Sequence, residues 1–155
     1  MKNKKGLFVN TTKANCSIHE SGVMIYQALQ YSEHYHIDYV EILPSTKYLR
    51  GGYDFYTFNY HHDTMRWLKT SLLKKNGRPV ITFVLEALTN NPFVYCPQAD
   101  FDAYCVLDPT MSIDDERVFA FPRPLEPTPI SLLTQDNLEP VIGTFGFATP
   151  GKGFE

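Results

Sequence analysis

The sequence predicts an α/β protein, a three-layer Rossmann-like domain with a mainly parallel central sheet. Its first apolar run, Leu7-Phe-Val9, is uninterrupted by polar residues, which is typical of a strand buried on both faces of a parallel sheet. An amphipathic segment and a second β-forming run follow before residue 44. Strand, helix and strand in this order form a βαβ unit, whose crossover is right-handed.

The first βαβ unit begins with a strand predicted over residues 6–10. Ser17 and Glu20 have the spacing of a capping box and precede apolar residues at helical intervals, so we expect a helix over 18–32. Residues 36–43 are rich in Ile, Tyr and Val and stop before a proline, which predicts the second strand.

Four more strands and one more helix follow in the same pattern. Asp63 is a candidate N-cap, and apolar residues at helical spacing favour a second helix over 63–75 that closes at Gly77. The Val-Ile-Thr-Phe-Val run after Pro79 is the most strand-like in the chain. The four strands are predicted at residues 53–60, 79–85, 103–107 and 118–121.

Prolines mark the predicted end of this domain. They stand at positions 122, 124, 127 and 129, where they disfavour regular structure. We therefore interpret residues 1–125 as the Rossmann-like domain and residues 126–139 as a hinge. Residues 140–155 have the pattern of one strand and a Gly-rich loop, which we interpret as the start of a second domain that is missing or truncated.

Composition excludes several classes of function. Fourteen Lys and Arg residues against 17 Asp and Glu give a net charge of -3, so the chain lacks the basic excess of a nucleic-acid binder. The first apolar run is far too short for a membrane span. Three cysteines without a C-x-x-C pair indicate reduced thiols in a cytoplasmic protein rather than disulfides or a zinc site.

Polar residues follow several of the predicted strands. Because an open α/β sheet binds ligands outside the carboxyl ends of its strands, these residues are the site candidates. Each could instead be solvated or packed, and for a histidine at a strand end packing is the more common role. Neighbouring His61 and His62 are expected to point to opposite faces, and side-by-side ligands without a third distant partner disfavour a metal site. We expect no metal and no cofactor. The candidates are Asn10, Thr11, Thr12 and Lys13 after the first strand, His61 and His62 after the third, and Glu86 after the fourth.

Taken in order, five segments resemble the N-terminal half of retaining glycosyltransferases with the two-domain GT-B fold (group 1, family 4-like). The resemblance covers essentially the whole chain, but the family's Arg before Lys-Gly is absent, and one strand ends in Glu without the family's His. The segments are Leu7-Phe-Val-Asn-Thr-Thr12, Tyr53 to His62, Ile81 to Glu86, Val118 to Pro124, and Val141 to Gly153.

The resemblance implies transfer of a sugar from a nucleotide diphosphate sugar to a glycan or other hydroxyl acceptor. It assigns catalysis to Glu86 and His61, and acceptor binding to the residues that follow the first strand and to His62. Without a second domain, we expect this chain alone to be inactive and its exposed interdomain face to self-associate. A non-catalytic α/β binding or protein-interaction module is the alternative. The donor diphosphate is assigned to Gly146, Gly151, Lys152 and Gly153.

Overall fold

A computed structural model describes residues 4–12, 16–41, 49, 51–75, 77–84, 99–120 and 122–123. Six strands form one sheet in the order β2-β1-β3-β4-β5-β6, and every neighbouring pair is parallel. This confirms the predicted α/β class with its Rossmann-like parallel sheet. The strands are β1 (Lys4–Asn10), β2 (Tyr35–Glu41), β3 (Phe55–Asn59), β4 (Val80–Val84), β5 (Ala103–Val106) and β6 (Val118–Ala120).

Two helices accompany these strands, and each differs from its prediction. Helix α1 (Ser17–Leu29) begins one residue early, so Ser17 is its first residue and Cys16 its N-cap, without a side-chain capping bond. The predicted capping box is therefore wrong. The hydroxyl of Ser21, one turn on, donates instead to the Ser17 carbonyl oxygen at 2.7 Å.

The predicted second helix over 63–75 is mostly wrong, because α2 comprises only Thr70–Lys74. Residues 62–64 and 66–67 form turns, and Asp63 pairs with Arg66 at 2.9 Å instead of capping a helix. Met65 and Leu68 produced the helical spacing, but they are buried as part of an irregular segment. The predicted stop at Gly77 is confirmed, because its φ of 65° is a left-handed conformation that favours glycine.

Separate apolar clusters cover the two faces of the sheet. On one face, Phe8, Ile37 and Phe83 pack with Ile25 of α1, and we call this the α1 face. On the other, Tyr56, Phe58 and Tyr104 pack with residues of the β3–β4 connection and of α2, and we call this the α2 face. The strand order explains this division. From β1 to β2 the chain moves toward one edge of the sheet, and from β3 to β6 it moves toward the other edge. Right-handed crossovers that move in opposite directions lie on opposite faces of the sheet.

Neither described helix has the length and hydropathy that crossing a bilayer requires.

Candidate functional site

The sheet order creates a topological switch point between β1 and β3. The chain leaves β1 to form β2 on one side, and β3 then pairs with β1 on its other side. In open α/β sheets, the crevice beyond the carboxyl ends at such a point is the usual place of ligand binding. Helix α1 begins at this same edge, so the residues that end β1 and β3 are the candidates for ligand binding.

Three polar side chains stand in register across the carboxyl edge. Asn10 of β1 pairs with Glu41 of β2, and Asn59 of β3 lies one residue beyond the Val9–Phe58 pair. Paired residues of parallel strands point to the same face, so all three lie on the α1 face. These three residues therefore place polar groups against the first turns of α1.

Asn10 is fully buried, and its side-chain amide is bonded throughout. Its Nδ2 donates to the His19 carbonyl oxygen at 3.1 Å and to the Tyr39 hydroxyl at 2.9 Å. Its Oδ1 accepts from Asn59 Nδ2 at 2.7 Å and from the Thr11 backbone N–H at 2.9 Å. These four bonds use the two donors and two acceptor sites of the amide and attach α1 to the end of β1.

Asn59 is also fully buried, but its amide is only half bonded. Its Nδ2 donates to Asn10 Oδ1 and to the Ile18 carbonyl oxygen at 2.5 Å. Its Oδ1 has no hydrogen-bond partner within the described ranges. Flipping the amide by 180° would place Asn59 Oδ1 against the Ile18 carbonyl oxygen, so the hydrogen-bond network fixes this orientation. An acceptor at the switch point is thus left unfilled.

Gly22 allows α1 to approach these amides. A Cβ at this position would clash with Asn10 Oδ1 and Asn59 Nδ2. Only glycine therefore lets the second turn of α1 rest directly on the two asparagine side chains.

The segment after β3 packs against the end of β1. The hydroxyls of Thr11 and Thr64 lie 2.8 Å apart, and Thr11 is buried. His61 is 5% exposed, and its Nδ1 accepts from the Asp63 backbone N–H at 3.1 Å. In a neutral ring, that bond puts the proton on Nε2, so this nitrogen donates and cannot serve as a base.

The expectation that His61 and His62 point to opposite faces is wrong for their rings. The rings stack at 5.2 Å between centroids with 15° between their planes. The alternation rule fails because the chain leaves the extended conformation after Asn59. The two residues still differ in access, since His61 is buried and the side chain of His62 is 52% exposed.

A second polar cluster lies at the β2 side of the same edge. Glu41 Oε1 accepts from the Tyr39 hydroxyl at 2.6 Å and contacts His19 Nε2 at 2.9 Å. Partial burial lowers the pKa of His19, but its hydrogen bonds with Glu41 and Glu20 outweigh this and raise the pKa above the ordinary 6.5. The Tyr39 hydroxyl and the His19 ring lower the pKa of Glu41, whereas burial and Glu41 raise the pKa of Tyr39 to about 12.

This cluster predicts a pH dependence of stability. The raised pKa of His19 adds stability that is fully present below pH 6.5 and is lost as the pH rises through the folded-state pKa. The lowered pKa of Glu41 adds stability that is present above pH 4.5 and is lost as the pH falls through its folded-state pKa. The stabilising effect of the pair should therefore be largest between pH 4.5 and 6.5.

The measurement is urea unfolding of the natural protein and Glu41→Gln from pH 4 to 9. We expect the difference in unfolding free energy between them to peak inside that window. Glu33→Gln removes an exposed carboxylate after α1 and is the matched control. Its difference in unfolding free energy from the natural protein should not change with pH. A flat profile for Glu41→Gln would show that the ion pair adds no stability.

The predicted site residues in the described ranges therefore fall into two groups. Asn10, Thr11 and His61, at the ends of β1 and β3, are buried, whereas Thr12 and His62 are exposed. The other predicted site residues, Lys13, Glu86, Gly146, Gly151, Lys152 and Gly153, lie outside the described residues.

Sequence reasoning missed two important residues at this edge. Asn59 was placed within a strand, although a polar residue ending an aromatic run was a usable signal. Arg123 follows β6 at the far edge of the sheet, yet its Nη2 donates to the Ser17 carbonyl oxygen of α1 at 3.3 Å. Its Nε is buried without a hydrogen-bond partner in the described part of the chain. No local sequence signal indicates this long-range contact.

Across the ranges that the structure describes, no three His, Cys, Asp or Glu side chains lie together as potential metal ligands. No protein-family model, curated protein or solved structure matches this chain.

Proposed function

We propose that this chain binds a hydroxyl-rich small molecule at the carboxyl edge, where β1, β3 and the start of α1 meet. The observation that carries the proposal is the sheet order, because it sets the polar ends of β1 and β3 side by side at a switch point. Exposed Thr12 and His62 follow these two strand ends and supply accessible polar groups.

The unfilled acceptor of Asn59 favours a ligand that carries donors. A buried oxygen without a partner costs about 1–3 kcal/mol, so a hydroxyl that gains access to Asn59 Oδ1 and donates to it would recover part of that free energy on binding. The neutral ring of His61 has its Nδ1 occupied by Asp63 N–H, which suits a side chain that holds a ligand in position better than one that removes its proton.

Within this proposal, the acceptor of a glycosyl transfer is the ligand that the family resemblance implies. A glycan presents several hydroxyls, which matches the required chemistry. Lys13 and Glu86 remain acceptor-side predictions, and the four residues Gly146, Gly151, Lys152 and Gly153 remain the predicted donor diphosphate loop. A nucleotide diphosphate sugar as donor, inactivity of this chain alone, self-association and a cytoplasmic location stay predictions of the same hypothesis.

Ligand titration of single variants tests the site. We expect short oligosaccharides to shift backbone amide resonances of residues 10–12 and 61–64 in NMR spectra. His62→Ala and Thr12→Ala should each weaken the affinity about fivefold, as loss of one hydrogen bond of about 1 kcal/mol predicts. His36→Ala is the matched control, because His36 is equally an exposed histidine but lies at the amino end of β2.

Three outcomes would decide among the functions. Shifts confined to the amino edge of the sheet would remove the site from the carboxyl edge. A nucleotide sugar that binds here in competition with glycans would reassign this edge to the donor. If no oligosaccharide or nucleotide sugar shifts these amides, the interaction-module alternative becomes the better account.

A further inference from the structure

An apolar groove lies open on the α1 face. Helix α1 covers the β1 side of this face, and beside it a cavity of about 380 Å³ runs over the amino halves of β3 and β4 and reaches β5. Two aromatic residues of this face are unusually exposed, Tyr35 at 46% and Phe119 at 53%. The groove is lined mainly by Leu29, Tyr35, Phe55, Ile81, Phe83 and Cys105.

The described connections of the sheet do not cover this groove. Right-handed crossovers place the described parts of the connections between β3 and β6, residues 60–75, 77–79, 99–102 and 107–117, on the α2 face. Residues of these connections pack there, as Leu68, Phe101 and Met111 show. Within the described ranges, these connections therefore leave the groove uncovered.

The two described residues beyond β6, Pro122 and Arg123, bring the chain into contact with α1. Phe119 of β6 is in register with Cys105 of β5, so β6 ends beside the groove. Arg123 then reaches the first turn of α1 through its bond to the Ser17 carbonyl oxygen. The last described residue is thus bonded to the helix that borders the groove. At about 3.3 Å per extended residue, seven residues would cross the length of a strand.

The sequence after Arg123 is rich in proline and apolar residues, a composition suited to an aromatic groove. Prolines stand at positions 124, 127 and 129, and proline-rich segments in the polyproline conformation bind aromatic-lined grooves at low entropic cost. The groove and its rim present Tyr35, Phe55, Phe83 and Phe119. The same stretch also carries the apolar residues Leu125, Ile130, Leu132, Leu133 and Leu138.

We propose that residues 124–139 of this chain dock on the open α1 face and cover the groove beside α1. The proposal assigns the stretch a packing role in the same molecule, where the sequence alone indicated a hinge. It is independent of what binds at the carboxyl edge.

Photo-cross-linking of the full chain tests this docking. Phe119→p-benzoylphenylalanine places the probe on the groove rim at a half-exposed position that tolerates a larger ring. After irradiation at low concentration, chymotrypsin separates the probe from the segment, because it can cut after Leu125, Leu133 and Leu138, none of which precedes a proline. We expect cross-links to peptides from residues 126–138 within one molecule. Leu72→p-benzoylphenylalanine, at an exposed position of α2, is the matched control and should give none.

A thiol measurement supplies an independent readout. In a full chain with Cys16→Ser and Cys96→Ser, maleimide reaches only Cys105, which lines the groove. Leu132→Asp with Leu133→Asp should loosen the docked segment and speed the modification of Cys105 roughly fivefold. Gln135→Ala should leave the rate unchanged. Cross-links between two copies, no cross-link to 124–139, or an unchanged Cys105 rate would each overturn the proposal.

Discussion

Replacing Gly22 with alanine should destabilise the fold by about 2–3 kcal/mol, near the upper end of the cost of inserting one methyl group into a packed interior. The added Cβ would clash with Asn10 Oδ1 and Asn59 Nδ2, so α1 must move away from the strand ends. That movement strains the hydrogen bonds from these amides to the Ile18 and His19 carbonyl oxygens. Alanine's better helix propensity, about 1 kcal/mol, offsets only part of this cost.

Urea unfolding of Gly22→Ala at neutral pH measures the effect. Gly52→Ala is the matched control, because a Cβ at Gly52 meets no atom within 4 Å and the change should be nearly neutral. A Gly22→Ala protein as stable as the natural one would mean that α1 does not rest on the two amides. The variant should also weaken ligand binding at the carboxyl edge, since the start of α1 forms one side of the proposed site.

The parallel sheet was predictable because burial on both faces leaves a simple pattern. Leu7-Phe-Val9 and the Val-Ile-Thr-Phe-Val run are apolar at almost every position, and both form inner strands of the sheet. The second helix was not predictable from spacing, because Met65 and Leu68 are buried in an irregular segment that packs on the same core. Periodicity shows which residues are buried, but a short run does not show which backbone conformation buries them.

The position of the candidate site was predictable to the level of strand ends. The rule that ligands bind beyond carboxyl ends selected Asn10, Thr11 and His61. These residues lie at the ends of neighbouring strands, and the Thr11 hydroxyl contacts Thr64 of the segment that contains His61. Their burial was not predictable, because it depends on how closely α1 approaches. The Asn59 contact depends on the register between β1 and β3, which no local pattern in either strand encodes.

A double-mutant cycle on Asn10 and Asn59 should show strong coupling between the two amides. Asn10→Ala should cost about 3 kcal/mol, because it removes four hydrogen bonds and leaves a buried donor of Asn59 unpaired. Asn59→Ala should cost less, about 2 kcal/mol, since only its Nδ2 is bonded in the folded chain. The double variant should cost about 1–2 kcal/mol less than the sum of the two single variants, because each single change already leaves the other amide without its hydrogen-bond partner.

Urea unfolding of the four proteins gives the coupling energy, and a cycle of Asn10→Ala with Thr82→Val is the control. Thr82 is equally buried on the sheet but bonds to the Phe58 and Phe83 carbonyl oxygens, so its coupling to Asn10 should be within about 0.5 kcal/mol of zero. Additive effects of Asn10→Ala and Asn59→Ala would contradict the shared network.

The same variants separate support of α1 from contact with a ligand. If Asn59 Oδ1 accepts from a bound hydroxyl, Asn59→Ala should weaken oligosaccharide binding beyond what its small loss of stability explains. Gly22→Ala is the comparison for this test, because it disturbs the seating of α1 but leaves the Asn59 oxygen in the protein. A larger loss of binding in Asn59→Ala than in Gly22→Ala would assign the ligand contact to that oxygen, whereas equal loss in both would reduce Asn59 to a support for α1.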